Sequence, residues 1–258
     1  MLILPCSIIA DFVLSIRTRP CFTATAEVRF SARIPDRIKL TPESSFGTEI
    51  NLTRARKIKN PCPVCAASRL LCLCDAIPEI ELRTRICLVI HHRELTRSSN
   101  TGLLAHRALV NSEVRVRGDT PAPLDLSDLL ISQYRTFLLY PADDAAELSK
   151  KLVEEQPAPI QLIVPDGTWR QARKLHSRHA ELKHVPRVKI TAPNHSVFQL
   201  RAQHRPERMA TLQAIAAALR IIEGDAAASQ LMNLYYLKIE RTLMGRGLLA
   251  KGTRPLGP

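Results

Sequence analysis

Four cysteines fall close together as Cys62-x2-Cys65-x6-Cys72-x-Cys74. As thiolates they could close a tetrahedral shell around one zinc ion and leave no position for water or substrate, which makes a structural site rather than a catalytic one. Independent burial of the four side chains and an iron–sulfur cluster are the other readings this spacing allows. The chain has 7 cysteines in all. Their odd number and crowding are unlike a secreted disulfide framework and point to a reducing compartment, the cytoplasm.

A carboxylate stands out at Val164-Pro165-Asp166-Gly167-Thr168-Trp169-Arg170-Gln171-Ala172-Arg173-Lys174-Leu175, where an apolar run passes through a turn into a helical pattern. Asp-Gly forms the turn, and Thr168 can cap the helix with Trp169 just inside it. The same residues would serve an ordinary strand-to-helix connection. What favours chemistry is the place, since a carboxylate at a strand's carboxyl end is well set to meet a ligand. The polar segment His91-His92-Arg93-Glu94-Leu95-Thr96-Arg97-Ser98-Ser99-Asn100-Thr101-Gly102 also follows an apolar run and precedes a helical one. It reads either as a solvated loop or as a site where Asn100 and Thr101 cap the helix and hold an anionic group.

The chain carries 37 Lys and Arg against 24 Asp and Glu, a formal charge of +13 over 258 residues. That balance favours a polyanionic partner. No apolar run reaches the roughly 18 residues of a spanning helix, so nucleic acid is expected rather than a membrane. Much of the charge gathers between residues 165 and 208, where Arg170, Arg173, Lys174 and Arg178 follow the Asp166 turn. This is the density of a phosphate-backbone footprint, although a solvated basic face has the same composition. Aromatic residues are scarce there, which argues against a single-strand stacking platform. Gly-x-Gly-x-x-Gly, Gly-x4-Gly-Lys-Ser/Thr and Gly-x-Ser-x-Gly are all absent, so a phosphate loop and a serine-hydrolase elbow are excluded.

The elements that must position these groups read as an alternation. Strands are expected at 85–90, 113–117, 136–140, 160–164 and 185–190, and helices at 101–111, 143–154 and 168–179, with two more between 206 and 243. Asp143 and Asp144 are expected in the first turn of the second helix. Apolar strands alternating with helices imply an α/β fold, a mostly parallel sheet with helices on both faces. Residues 1–55 have no clean period and are interrupted by Pro20, Pro35 and Pro42. They read as an accessory extension; the opening apolar stretch resembles a signal peptide but lacks a basic start and is broken by Asp11. The working domain is expected over 56–245, with the cysteine segment at 58–80 and a tail over 246–258.

Taken together, the cysteine cluster, His91-x2-Glu94-x2-Arg97-x2-Asn100-Thr101, Asp166-Gly167-Thr168-Trp169 and Ser196-x3-Leu200-Arg201 resemble the DTW-domain family, in the family's order. Its bacterial members resemble tRNA-uridine aminocarboxypropyltransferases, related to the knotted SPOUT methyltransferases. The resemblance implies a SPOUT-like, knotted fold and transfer of the 3-amino-3-carboxypropyl group of S-adenosylmethionine to N3 of a tRNA uridine. By motif, Asp166 would take the N3 proton or orient the base, with Asn100, Thr101, Gly167, Thr168, Trp169, Ser196, Leu200 and Arg201 around the donor. One departure is Gln213, in Thr211-Leu212-Gln213-Ala214, where the family carries Glu. A methyltransferase on the same donor and a zinc-containing RNA-binding protein without catalysis are the other function classes.

Overall fold

The computed structural model describes residues 61–119, 124–131, 133–191, 209–247 and 249. The expected extension over 1–55 and most of the tail over 246–258 lie outside them. Six strands, β1 (Arg85–His91), β2 (Ser112–Arg117), β3 (Arg135–Leu139), β4 (Ala146–Glu147), β5 (Ile160–Asp166) and β6 (Arg187–Lys189), form one sheet. Their order is β2-β1-β5-β3-β6-β4, and every pairing is parallel. The mostly parallel sheet expected from the sequence is thus entirely parallel among the described strands. β1 and β5, which read as continuous apolar runs, lie side by side in the interior of the sheet and are buried along most of their length. A strand covered on both faces must be apolar at consecutive positions, which makes these two the easiest to read.

Because successive side chains on a strand point to opposite faces, β1 and β5 feed two separate cores. Ile86, Leu88, Ile90, Ile160, Leu162 and Val164 pack with Leu104, Ala105 and Ala108 of helix α1 (Gly102–Ala108) and with helices α4 (Thr211–Ile222) and α5 (Asp225–Gly245). Cys87, Val89 and Ile163 face the other way, against Leu175 of helix α3 (Trp169–Arg178) and Leu126, Leu129 and Leu182. Helices cover both faces, as expected. α4 and α5 are joined through Gly224, whose φ of 97° is in the region that glycine adopts without steric cost.

One element differs from expectation. In place of a helix over 143–154, the chain makes a turn, the edge strand β4, and only then the short helix α2 (Lys150–Glu154), capped by Ser149, whose hydroxyl accepts from the Leu152 N–H at 3.3 Å. Asp144 does not serve a helix dipole; it pairs with Arg187 of β6. Ala145 and Leu148 are both buried, and their spacing of three suits a helix as well as this turn, so periodicity could not separate the two.

The cysteine segment folds against α5. Cys62, Cys65, Ala67 and Leu73 share a core with Leu231, Leu234, Tyr235, Ile239 and Leu243.

Candidate active site and metal centre

β1 and β5 are neighbours, with Ile90 opposite Asp166. The helices that follow them go to opposite faces, α1 to one core and α3 to the other. Where adjacent parallel strands part in this way, a crevice opens beyond their carboxyl ends, and ligands of open α/β sheets bind there.

Asp166 ends β5 inside that crevice and is 7% exposed. Its Oδ2 accepts from Asn100 Nδ2 at 2.6 Å, and its Oδ1 accepts from Thr211 Oγ1 at 2.6 Å. Asn100 is fixed in turn, since its Oδ1 accepts from the Leu103 N–H at 2.9 Å at the start of α1. Thr211 is the first residue of α4. The carboxylate therefore ties together β5 and the beginnings of two helices, and hydrogen bonds at both oxygens set its plane. Gly102 makes this fit possible: a β-carbon there would stand 2.6 Å from Asp166 Oδ2 and 2.9 Å from its Cγ.

Thr101, expected to help cap α1, does something else. Its hydroxyl accepts from the Leu212 N–H at 3.3 Å and so fastens α4 to α1. Gln213 caps this helix start without an acid, its amide oxygen accepting from the Ala210 N–H at 3.0 Å, the backward reach that a glutamate makes there. Gly167 and Thr168 follow Asp166 directly. Thr168 caps α3 as expected, its hydroxyl accepting from the Gln171 N–H at 3.3 Å, while Gln171 Oε1 accepts from the Thr168 N–H at 2.7 Å. Trp169 opens α3. Ser196, Leu200 and Arg201 lie outside the described residues, as does the side chain of Trp169.

The structure brings Asn100, Thr101 and Asp166 into one hydrogen-bonded wall and adds Thr211 and Gly102, which the sequence reading did not assign. A threonine at a helix start normally reads as a cap, and nothing local says that its hydroxyl turns to a carboxylate 45 residues away.

α3 runs outward from the crevice with Arg170, Arg173 and Arg178 exposed and Lys174 partly so. Beneath it Arg117, at the end of β2, is buried and donates to the Gln171 carbonyl oxygen. Burial, and then the Arg178 charge, lower the Arg117 pKa from its ordinary value. His91, paired with Arg117 in register, is likewise held below the usual histidine range by burial and by the charges of Arg117, His92 and Arg93. In the loop after β1, Glu94 is buried with Arg97 Nε 3.3 Å from its Oε1.

The four cysteines of the tetrad do meet. Cys62 Sγ stands 3.5 Å from Cys74 Sγ and 3.6 Å from Cys72 Sγ, and Cys65 Sγ is 3.8 Å from Cys72 Sγ. A tetrahedral ion with bonds of about 2.3 Å would hold its sulfurs about 3.8 Å apart. All four lie within 4.8 Å of one another, which fits a single ion better than a cluster whose irons spread the thiolates. The group could therefore hold one metal ion. Burial pushes the Cys62 thiol up, but the N–H groups of Cys65 and Val64 and the adjacent Cys74 and Cys72 thiols together bring it down to about 7.

Residues 59–243 match the DTW domain. The chain belongs to the DTW-domain family. The DTW match takes in the cysteine tetrad at one end and most of α5 at the other, with the β1–β5 crevice between them. A tRNA-uridine aminocarboxypropyltransferase 2 of Drosophila melanogaster is 28% identical over 173 residues, covering 64% of this chain and 68% of that protein. The protein of the same name from Macaca fascicularis is 25% identical over 174 residues, covering 66% of this chain and 58% of the relative. This DTW chain thus spans about three-fifths to two-thirds of the length of these relatives. Among solved structures, the SAM-dependent rRNA:acp-transferase Tsr3 from Vulcanisaeta distributa overlaps with a TM-score of 0.38 at 16% identity, covering 63% of this chain and 79% of that one.

Proposed function

We propose that this DTW-domain chain transfers the 3-amino-3-carboxypropyl group of S-adenosylmethionine to N3 of a uridine in tRNA, releasing methylthioadenosine. The observation that carries the reading is Asp166, set at the carboxyl end of β5 in the β1–β5 crevice and oriented by Asn100 and Thr211. In the reaction a bond forms between N3 and the methionine Cγ while the Cγ–S bond breaks, its electrons neutralising the sulfonium. The N3 proton has to leave, and Asp166 receives it or orients the base for its loss. The sulfonium is already an activated leaving group, so the larger part of the protein's work is alignment. Gly167, Thr168 and Trp169 border the donor from the β5 side and Asn100 and Thr101 from the β1 side, with Ser196, Leu200 and Arg201 completing the pocket by family motif.

Incubation with tRNA and separately labelled donors tests this. Label in the carboxyl portion of the amino-acid side is expected in RNA. Methyl label in RNA would instead make the chain a methyltransferase, and no label in RNA would leave a binding protein.

The rest of the reading concerns the surroundings. By family resemblance the chain takes a SPOUT-like, knotted course. The protein works in the cytoplasm, where reduced thiols persist; among the described residues no helix is long and apolar enough to cross a membrane. Cys62, Cys65, Cys72 and Cys74 hold one structural zinc, a closed shell that pins the start of the domain and takes no part in transfer. Purified protein is expected to contain about one zinc per chain by elemental analysis, and Cys62→Ser or Cys72→Ser to lose it with a lowered unfolding temperature. A native protein with four freely titrating thiols would contradict this.

Arg170, Arg173, Lys174 and Arg178 contact tRNA phosphates along α3, which leads from the crevice to the surface. Replacing Arg170 and Arg173 together by Ala is expected to weaken tRNA binding and to flatten its dependence on salt by about one unit of logarithmic slope for each phosphate no longer neutralised. An unchanged slope in filter-binding titrations would assign the stretch to solvent.

A further inference from the structure

Lys238 occupies a position where the packing of α5 calls for an apolar side chain. It sits among Leu231, Leu234, Tyr235 and Ile239 on the buried face of the helix and is 2% exposed. An ammonium withdrawn from water to that degree needs both hydrogen-bond acceptors and opposite charge. Its Nζ donates to the Cys65 carbonyl oxygen at 3.2 Å, which supplies an acceptor but no net charge. Burial lowers its pKa from the ordinary lysine value, and the nearby Cys65 and Cys62 side chains work against that shift. No carboxylate among the described residues forms an ion pair with it.

Four thiolates on one divalent ion carry an excess of two negative charges, and in a buried site that excess is unfavourable unless cations or N–H dipoles offset it. N–H dipoles supply part of that offset: those of Cys65 and Val64 act on the Cys62 thiol, and the Leu73 N–H is directed at Cys65 Sγ at 3.4 Å. We propose that Lys238 is the built-in counter-ion of the tetrathiolate metal centre, strengthening its hold on the ion and fastening α5 to the cysteine segment. This rests on the reading of the four cysteines as a metal site. It explains why a lysine is kept in an apolar core some 170 residues along the chain from the ligands it serves. It also places the C-terminal helix among the determinants of metal affinity, although that helix supplies no ligand.

The test is zinc affinity of the full-length protein, measured by competition with a chromophoric chelator, for the wild type, Lys238→Met and Lys238→Gln. Met fills the same space without charge, and Gln keeps an N–H donor without charge. Both are expected to bind zinc about 10-fold to 100-fold more weakly, the range found when outer-shell partners are removed. The cobalt-substituted variants should keep the absorption of a four-thiolate site. Wild-type affinity in both variants would overturn the counter-ion role. So would wild-type affinity in Lys238→Gln alone, which would make the hydrogen bond rather than the charge decisive. A cobalt spectrum showing fewer than four thiolates would make Lys238 a packing residue. If the wild type itself takes up neither zinc nor cobalt, the metal reading of the tetrad fails, and the counter-ion role with it.

Discussion

Asp166→Asn is expected to lower the rate of transfer to uridine by about 10²-fold to 10⁴-fold, the usual contribution of a positioned general base, while leaving folding and metal content in place. The surroundings make the substitution clean. Asn100 cannot turn its amide without giving up the bond that its Oδ1 accepts from the Leu103 N–H, so it continues to donate, and the amide oxygen of the substituted side chain can accept from it. The new NH₂ then faces Thr211 Oγ1, which can accept as readily as donate because a hydroxyl does both. Both hydrogen bonds survive, and what is removed is the charge and the basicity. Raising the pH should partly restore the variant's rate, since more of the uridine is then already ionised. Wild-type turnover at neutral pH in single-turnover assays would take Asp166 out of the proton transfer. Loss of donor binding would make it a binding residue.

The same cluster shows what a sequence can and cannot disclose. Asp166 was legible because its neighbours in the chain carry the signal: an apolar run, an Asp-Gly turn and a capped helix together put a carboxylate at a strand's end. The residues that hold it are another matter. Thr211 and Gly102 carry no local signal of a role, and their purpose appears only when α1 and α4 converge on β5. That convergence is a tertiary event with no local trace. Lys238 was hidden for the opposite reason. A lysine in an amphipathic pattern is assigned to the solvent side, and only the cysteine segment packed against α5 gives it a reason to be inside. The helix expected over 143–154 failed on degeneracy, since Ala145 and Leu148 satisfy two geometries and the pairing of β4 with β6 decided between them.

Gly102→Ala puts the proposed geometry under a second, independent strain. Taken alone, the change should help: Gly102 begins α1, and alanine in place of glycine in a helix is worth about 1 kcal/mol. Against this, the new methyl would stand 2.6 Å from Asp166 Oδ2, a carboxylate that cannot retreat without breaking its 2.6 Å bonds from Asn100 or Thr211. A hydrogen bond to a charged group is worth about 1.5–3 kcal/mol, so the clash wins and the variant is expected to be less stable than wild type by about 0.5–2 kcal/mol. Displacement of the carboxylate by a large fraction of an ångström should cost about 10²-fold in transfer rate. The contest can be isolated by a double-mutant cycle. In an Asp166→Ala background the nearest atom of residue 166 to the new methyl is its Cβ at 3.4 Å, an ordinary van der Waals distance. There Gly102→Ala should become neutral or stabilising in urea unfolding. A reversal of sign between the two backgrounds would locate the cost in the Asp166 carboxylate. The same destabilisation in both would place it in the backbone of α1 and detach Gly102 from the site.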